Sequence, residues 1–476
     1  MDEAAFHRVA ATDARWADAP LSHLTSAADH SRLWIAVSAG LAVGGGRFGR
    51  RAALRGLMSV AATSAVINGP AKMLFRRRRP PLLAVPLHRQ AWRATRTSSF
   101  PSGHSASAAA FAAGVATEMP ALAVPLGLTA AAVGYSRVHT GVHYPGDVIV
   151  GAALGVGLAR ATTRLWPVAP HEPACARPHL ARGHEKPSAD GAGVHIAVNA
   201  GAGPAIVGGD MADQLKAALP GATIERVEAG DDLVATLQRL AVGAKAIGVA
   251  GGDGSINAAA QVAVDAGLPL VAIPGGTLNH LARDLGLTGV NDAVEAVREG
   301  EMVTIDVATI ADQVFLNTAS FGAYVDLVDT RERLEGRIGK WPAMLVALVQ
   351  VLARSQPVTV RIDGQERSVW MIFIGNCRYH PHGFAPSWRE RLDDGLLDIR
   401  TVSGTQPWAR LHLVLSVISG RLGTCRVYEE MVARQIEVES LDGPMRLARD
   451  GEVFDGPARF VVRKLDRPLV VHVPAS

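Results

Sequence analysis

The first third of this 476-residue chain is more apolar than the rest, and this asymmetry limits the folds that it can adopt. Five segments rich in Ala, Val, Leu and Gly cover residues 32–46, 54–71, 104–117, 119–135 and 147–165. None is an unbroken run of twenty apolar residues, and each is short for a bilayer core of about 30 Å. Residues 31–165 therefore predict an all-α membrane helical bundle, and a soluble all-helical domain is the alternative.

The charges between these segments predict an orientation in the membrane. Arginines cluster at 46–55, between the first two segments, and the positive-inside rule assigns such a loop to the cytoplasm. Residues 72–103 and 136–147 then lie outside the cell, and the chain after about residue 166 lies inside. The arginines at 76–79 lie outside, against the rule, unless they serve catalysis. Residues 1–30 are polar to amphipathic and predict a segment along the membrane surface.

A different pattern begins near residue 194. Residues 166–193 contain five prolines and no apolar periodicity, which predicts a linker. In 194–302, short apolar strands run into glycine-rich turns and alternate with helices, which indicates a parallel sheet in an α/β nucleotide-binding domain. Residues 303–476 read as a mainly antiparallel β domain. The predicted fold class is therefore multidomain.

The amino-acid composition excludes few functions. The formal net charge of +4 suits anionic substrates or an anionic membrane face, but it is small for this length. No basic stripe is interleaved with aromatic residues, so we expect no nucleic-acid partner. The three cysteines have no metal-binding spacing and predict reduced, structural thiols.

Three strings in the first third carry polar residues suited to phosphate chemistry: KMLFRRRRP at 72–80, PSGH at 101–104 and SRVHTGVHYPGD at 136–147. In this order and spacing they resemble the signature of the type-2 phosphatidic acid phosphatase superfamily, which includes vanadium haloperoxidases. The resemblance covers about residues 31–165. Every signature position is filled, by Lys72, Arg79, Pro80, Pro101, Ser102, Gly103, His104, Ser136, Arg137, His143 and Asp147.

The resemblance implies hydrolysis of a lipid phosphate. A phosphomonoester is dianionic, so its oxygens need cationic partners, and Lys72, Arg79 and Arg137 supply them. The Ser102 hydroxyl and the Gly103 amide add neutral donors at a turn that opens a helix.

The same resemblance implies a covalent phosphohistidine. His143 attacks phosphorus, and Asp147 holds its imidazole in the nucleophilic tautomer. His104 protonates the leaving alkoxide and then activates water. We expect no metal or other cofactor in this half.

Four strings in the remainder resemble the diacylglycerol kinase catalytic domain family, which includes sphingosine and other lipid kinases. They are GGDGSIN at 251–257, PGGTLNHLARDLGL at 274–287, DDGLLD at 393–398 and DGE at 450–452. The resemblance covers residues 194–476. GGDG alone also occurs in NAD kinases, and four strings in order favour a lipid kinase.

This resemblance implies ATP and Mg²⁺ as cofactors. Glycines let the backbone approach nucleotide phosphates closely. Asp450 resembles the general base that takes the lipid hydroxyl proton, with Glu452 beside it, and Asp393 and Asp394 correspond to a magnesium site remote from the chemistry. The predicted nucleotide-binding residues are Asn199, Gly251, Gly252, Asp253, Gly254, Ser255, Asn257, Gly275, Gly276, Thr277 and Asn279.

Two positions depart from the kinase pattern. His280 stands where the family usually has Asp, so a carboxylate of the expected magnesium network is missing. The first nucleotide loop keeps glycines after Asn199 but lacks the usual serine.

The combined prediction is a bifunctional, multi-pass enzyme of the cell membrane. Its phosphatase site is extracytoplasmic, its lipid kinase is cytoplasmic, and its substrates are a lipid phosphate and a lipid alcohol. The alternatives are a phosphatase fused to a degenerate kinase-like domain that senses nucleotide or lipid, and a membrane scaffold with neither activity. Phosphatidate, phosphatidylglycerol phosphate and polyprenyl pyrophosphate stay open as substrates, and so does the oligomeric state, for which the kinase resemblance allows a homodimer.

Overall fold

A computed structural model of the chain describes residues 2–475 except 13–14, 82–84, 91–96, 171, 180–186, 202–209, 277–278, 300, 383–386, 405–407 and 420–421. The chain divides into two compact units, Met1–Ala169 and Pro170–Ser476.

The described part of the N-terminal unit is helical, as the sequence predicts. Four helices, α3, α4, α6 and α8, form its main packing layer, and α7 packs against α6 and α2. The α-helices are α1 (Asp2–Ala11), α2 (Arg15–Ala28), α3 (Arg32–Gly44), α4 (Gly46–Val66), α5 (Lys72–Leu74), α6 (Gly103–Glu118), α7 (Ala123–His139) and α8 (Pro145–Leu165).

Glycines allow α6 and α8 to meet at backbone distance. A Cβ atom on Gly155 would lie 2.1 Å from the carbonyl oxygen of Ala106, and one on Gly151 would lie 2.5 Å from that of Ser102. Larger residues would force the helices apart. This crossing brings the start of α8 to the start of α6, where the Ser102 amide donates to the Asp147 carbonyl at 3.0 Å.

Two helices in the described residues are long and apolar enough to cross a membrane, judged by length and composition alone: Pro120–His139 and Pro145–Leu165. Apolar side chains on both are exposed, including Leu128 and Ile149 at 68% each. This suits membrane association, whereas the multi-pass arrangement and its orientation stay predictions.

The first thirty residues pack against the bundle, and their location along the membrane surface stays a prediction. Phe6 is fully buried, and its ring centroid lies 5.6 Å from that of Tyr144. The Asp2 carboxylate accepts a hydrogen bond of 2.8 Å from the Gly146 amide. The apolar face of α1 is therefore covered by protein.

The C-terminal unit contains two large sheets. The first has seven strands in the described residues, in the order β1-β6-β20-β5-β4-β2-β3, and its β2 to β5 are parallel, as predicted. Its strands are β1 (Arg177–Pro178), β2 (Val194–Asn199), β3 (Thr223–Val227), β4 (Ala246–Gly251), β5 (Leu270–Pro274), β6 (Met302–Ile305) and β20 (Leu469–His472). Its helices are α9 (Met211–Ala218), α10 (Leu233–Ala241), α11 (Asp253–Ala266), α12 (His280–Asp284) and α13 (Val290–Glu299).

The second sheet is antiparallel throughout its described pairs and encloses a core that includes Phe315, Phe321 and Phe460. Its strands are β7 (Ala308–Ile310), β8 (Gln313–Phe315), β9 (Thr318–Gly322), β10 (Val358–Ile362), β11 (Gln365–Asn376), β14 (Leu397–Ser403), β15 (Tyr428–Ala433), β16 (Gln435–Ser440), β17 (Met445–Arg449), β18 (Glu452–Gly456) and β19 (Arg459–Lys464). A small pair, β12 (Tyr379–His380) and β13 (Trp388–Arg389), lies apart from it. The helices are α14 (Ala323–Ile338), α15 (Lys340–Arg354) and α16 (Ala409–Ser419).

Two predicted boundaries differ from the structure. Part of the predicted linker at 166–193 belongs to the first sheet, because β1 pairs with β6 and the Ala174 amide donates to the Asp284 carbonyl at 2.7 Å. The predicted division at 302/303 also fails to separate the sheets. Strand β20, at the end of the chain, returns to pair with β5 and β6.

Candidate active sites

The first site forms where the segment after α5, the start of α6 and the α7–α8 turn meet. His143 lies in that turn, is 2% exposed, and presents its two ring nitrogens to different partners. Its Nε2 lies 3.4 Å from Arg79 Nη1, and its Nδ1 lies 3.5 Å from Asp147 Oδ2. One nitrogen therefore faces a cation and the other faces a carboxylate.

The protonation of His143 follows from this environment. The pKa of His143 is lowered to about 4, mainly by burial and also by the nearby Arg79 and Arg137, whereas Asp147 acts in the opposite direction. The imidazole is thus neutral at pH 7. With its proton on Nδ1, toward Asp147, the Nε2 lone pair is available for attack.

The Asp147 carboxylate is fixed by donors on several sides. Ser99 Oγ donates to Oδ2 at 2.5 Å, and the Tyr144 amide donates to the same oxygen at 3.0 Å. Arg77 Nη1 donates to Oδ1 at 2.8 Å. Ser99 and Arg77 fill no position of the signature, so neither was predicted from the sequence.

The three predicted phosphate-binding cations lie close together. Burial lowers the pKa of Lys72, and the positive charges of Arg79 and Arg137 lower it further, which places the three groups within electrostatic reach. Lys72 Nζ donates to Asn68 Oδ1 at 3.1 Å, and Arg79 Nη1 donates to the Val142 carbonyl at 3.0 Å.

Arg137 has a buried donor in need of an acceptor. Arg137 is 5% exposed, and its Nε has no hydrogen-bond partner among the described residues. Since buried donors are rarely left unpaired, this nitrogen fits a site that receives an anion.

The helix start at Ser102 and Gly103 adjoins these cations. A Cβ atom on Gly103 would lie 3.8 Å from Lys72 Nζ. The Ser102 hydroxyl is buried and lies 2.9 Å from Ser105 Oγ, which engages it inside the bundle. His104, one residue further on, has Nε2 2.8 Å from Asp29 Oδ1.

The second site is built on two glycine turns that follow neighbouring parallel strands. The Gly275 amide donates to the Gly251 carbonyl at 2.8 Å. A Cβ atom on Gly276 would lie only 2.5 Å from the Gly252 Cα atom. This close approach, at the carboxyl ends of β4 and β5 and the start of α11, suits nucleotide phosphates.

Most other predicted nucleotide residues surround these turns. Asn199 Nδ2 donates to Ser255 Oγ at 3.1 Å, and Asn279 Oδ1 accepts from the Gly276 amide at 2.9 Å. Asn257 is different, because it is buried and its Nδ2 donates to the Val314 carbonyl at 3.2 Å. Thr277 lies outside the described residues.

His280 contacts Asp253 through its backbone. The His280 amide donates to Asp253 Oδ1 at 2.6 Å, so the backbone at this position contacts the first glycine turn although the usual side-chain carboxylate is missing. Glu452 approaches the same helix start, because a Cβ atom on Gly254 would lie 2.5 Å from Glu452 Oε1.

Asp450 is held by the backbone of one segment. Its carboxylate accepts hydrogen bonds of 2.8, 2.8 and 2.9 Å from the amides of Leu316, Asn317 and Thr318. Burial raises the pKa of Asp450, although these three donors oppose the rise. A raised pKa makes the carboxylate a stronger base.

Asp450 opens onto a cavity of about 430 Å³. Asp253 and His280 line its polar end together with Asp450. Apolar side chains line other parts of it, among them Val328, Met371, Phe373 and Leu422. Such a cavity suits an acceptor that has a hydroxyl group and an apolar body.

Arg389 contacts the segment 316–318 whose amides hold Asp450, and it was not predicted from the sequence. Its side chain is buried and donates to the Leu316 carbonyl at 2.7 Å and to Asn317 Oδ1 at 3.0 Å. Its Nε donates to Asp284 at 2.7 Å. No local motif marks this residue, since its partners are 73, 72 and 105 positions away in sequence.

The predicted magnesium pair does not fit a shared ion. Asp393 Oδ2 accepts from Arg177 and Arg391, each at 3.0 Å, which balances its charge, while its buried Oδ1 has no hydrogen-bond partner among the described residues. Asp394 belongs instead to a cluster with Asp306 and Cys377.

A lysine supplies the positive charge in that cluster. Lys464 Nζ donates to Asp306 Oδ2 at 2.9 Å and to Asn376 Oδ1 at 2.5 Å, and it lies 3.2 Å from Cys377 Sγ. Burial raises the pKa of the Cys377 thiol to about 12, so the thiol is neutral and a poor metal ligand.

Each site lies in a part of the chain that matches a known protein family. The PAP2 superfamily model matches residues 53–169, the model of the diacylglycerol kinase catalytic domain matches 196–310, and the model of the YegS C-terminal NAD kinase beta sandwich-like domain matches 322–471. The chain is a PAP2 superfamily domain fused to a diacylglycerol kinase family domain. Both resemblances predicted from sequence are thus confirmed, together with the multidomain fold class.

Curated relatives agree for the kinase domain. The diacylglycerol kinase of Mycobacterium tuberculosis (strain ATCC 25618 / H37Rv) is 31% identical over 194 residues, which cover 38% of this chain. The match spans 62% of the length of that relative.

Solved structures also resemble each domain. A diacylglycerol kinase from Bacillus anthracis str. Sterne is 22% identical, with 62% of this chain and 98% of that chain covered and a TM-score of 0.42. The transmembrane PAP2-type phosphatidylglycerolphosphate phosphatase from Bacillus subtilis is 25% identical, with 33% and 81% covered and a TM-score of 0.27.

Proposed function

We propose that this fusion is a bifunctional membrane enzyme in which the PAP2 domain hydrolyses a lipid phosphate and the kinase domain phosphorylates a lipid alcohol. The observation that carries the first activity is the orientation of His143, with Nε2 toward Arg79 and Nδ1 toward Asp147. A buried, neutral imidazole beside buried cations, one of which has an unpaired donor at Arg137 Nε, is equipped to attack an anionic phosphorus centre.

The phosphatase reaction proceeds in two steps. The Nε2 lone pair of His143 forms a bond to phosphorus while the bond to the lipid oxygen breaks, and His104 gives that oxygen a proton. Water then attacks phosphorus, His104 takes the proton of that water, and the bond from His143 to phosphorus breaks. Lys72, Arg79 and Arg137 bind the phosphate oxygens through both steps.

The observation that supports the kinase reaction is that Asp450 lines the cavity together with apolar side chains. The glycine turns at Gly251–Gly252 and Gly275–Gly276 would hold the phosphates of ATP, which supplies the phosphoryl group when bound. Asp450 accepts the proton of the lipid hydroxyl, and its backbone donors keep it aimed at the cavity. No role is assigned to a metal ion at Asp393 and Asp394.

The two activities are separated by a pair of substitutions. His143→Ala should abolish phosphate release from a panel of lipid phosphates and leave ATP-dependent lipid labelling intact. Asp450→Ala should do the reverse. Loss of both activities from either substitution would refute independent sites.

A degenerate kinase domain is the second candidate, and His280 favours it. In that case the domain binds Mg·ATP without transferring phosphate to any lipid. Labelling of a lipid panel by the wild-type protein, absent in Asp450→Ala, would exclude this candidate.

We further propose a multi-pass protein of the cell membrane, with the PAP2 site outside and the kinase domain in the cytoplasm. A neutral lipid released outside would cross the bilayer and be rephosphorylated inside. Recovery of the full chain in the soluble fraction without detergent would contradict the membrane location. Protection of the kinase domain from protease in intact cells is expected, and cleavage there would contradict the orientation.

A further inference from the structure

Carboxylates from the first 31 residues reach the PAP2 site, although this segment lies outside the family match at 53–169. Each contacts a different element of the site at 2.7 or 2.8 Å. The pairs are Asp2 with Arg77, Asp18 with His139 and Asp29 with His104. The N-terminal segment is therefore built into this site.

The backbone on both sides of Asp29 is constrained, while its side chain is 46% exposed. Helix α2 before it is fixed to α7 by a buried hydrogen bond of 2.6 Å between Thr25 Oγ1 and Ser136 Oγ. The two residues after it, His30 and Ser31, have left-handed φ angles of 54° and 62°. Non-glycine residues pay energy for this conformation, and such costs are concentrated at functional positions.

We propose that Asp29 is the positioning residue of the acid–base histidine of the phosphatase. Its carboxylate orients the His104 imidazole and stabilises the imidazolium that must donate a proton to the leaving alkoxide. After that transfer the neutral imidazole, still held by Asp29, takes the proton of the attacking water. This inference rests on the proposed phosphatase function.

The geometry distinguishes this role from imitation of a bound phosphate. A carboxylate in the place of phosphate would pair with the phosphate-binding cations. Within the described ranges, Asp29 forms its hydrogen-bonded ion pair with His104, and its negative charge acts on Arg137 while Arg137 Nε stays without a hydrogen-bond partner. Lys72 instead donates to Asn68, and Arg79 donates to backbone carbonyls.

The leaving group provides a test that a structural role would not pass. We expect Asp29→Asn in the full chain to lower kcat about 10- to 100-fold for phosphatidate in detergent micelles, because the departing alkoxide needs a proton. With p-nitrophenyl phosphate and excess enzyme, we expect the rate of p-nitrophenol release in a single turnover to change less than about threefold, since the phenolate departs readily without a proton. Asp29→Glu should restore most of the phosphatidate rate.

The pH profile provides a second readout. The titratable groups that act on His104 are Asp29, Arg137 and His143. Loss of the negative charge in Asp29→Asn removes the group that favours imidazolium, so the alkaline limb of kcat for phosphatidate should move to lower pH. Glu3→Gln, at an exposed position of the same segment, should leave the limb in place.

Each outcome bears on the inference. An additional effect of Asp29→Asn in a His104→Ala background would contradict it, since the two residues should act as one unit. An equal loss in phosphatidate turnover and in single-turnover release of p-nitrophenol would reduce Asp29 to a structural role, and increased activity in Asp29→Asn would show a phosphate mimic. If wild-type protein released phosphate from no substrate, the proposed function itself would fail.

Discussion

Ser99 donates a 2.5 Å hydrogen bond to the Asp147 carboxylate, and its hydroxyl oxygen also lies 3.4 Å from His143 Nδ1. The hydroxyl thus joins the proposed nucleophile to the carboxylate that orients it. Because it lies two residues before the PSGH string, it has no place in the signature.

Ser99→Ala should reduce phosphatase kcat by about 10- to 100-fold, because a hydrogen bond to a charged group contributes about 1.5–3 kcal/mol. KM should change little, because Ser99 contacts no phosphate-binding cation. Ser26→Ala removes an exposed hydroxyl that donates to the Ser22 carbonyl, and it should leave kcat unchanged. Rates measured with phosphatidate would test this, and a wild-type kcat in Ser99→Ala would contradict it.

The pH dependence of the phosphatase should reflect the lowered pKa of His143. Protonation of the nucleophile near pH 4 should produce the acidic limb of kcat/KM there, well below the ordinary histidine value of 6.5. A profile measured with p-nitrophenyl phosphate, whose leaving group depends little on His104, isolates this limb. A limb near pH 6.5 would contradict the buried, neutral state.

The same group should affect stability in a defined direction. Because the pKa of His143 is lower in the folded state, the unfolded chain binds more protons between about pH 4 and pH 6.5, and stability falls as pH falls through this window. His143→Gln should flatten this dependence. Thermal unfolding at several pH values measures the difference, and parallel curves for both proteins would contradict the prediction.

Gly276→Ala should block the proposed nucleotide cleft. The added methyl group would lie 2.5 Å from Gly252 Cα and 2.9 Å from Asn279 Oδ1, so the turns must separate. We expect KM for ATP to rise more than tenfold, while phosphatase activity is retained. Gly289→Ala, whose Cβ atom meets nothing within 4 Å, is the matched control. Unchanged ATP kinetics in Gly276→Ala would contradict a cleft between these turns.

Lys464→Met should destabilise the C-terminal unit by about 3 kcal/mol, because it leaves the Asp306 carboxylate without its buried ion pair. Lys216→Met, at an exposed position, should change the unfolding free energy by less than about 0.5 kcal/mol. Urea unfolding measures both values. EDTA should not lower the melting temperature of the wild type, and a decrease would point to a divalent ion near Asp394.

Short sequence motifs predicted the candidate reacting residues that lie close together in the chain. The spacing from His143 to Asp147 spans one turn into α8, and the glycine turns follow parallel strands directly, so neighbours in sequence are neighbours in space. The helices of the N-terminal unit and the parallel sheet followed from apolar patterning for the same reason. Strand β20 did not, because its pairing with β5 joins residues about two hundred positions apart.

The sequence by itself determined both families, the order of the domains and the candidate reacting groups, since these depend on residue types at short spacing. The tertiary structure alone brought Asp29 to His104, Arg389 to the Asp450 segment and Lys464 to Asp306. It also separated Asp393 from Asp394 by giving them different partners. Such contacts depend on how whole helices and sheets pack, and no periodicity along the chain records that packing.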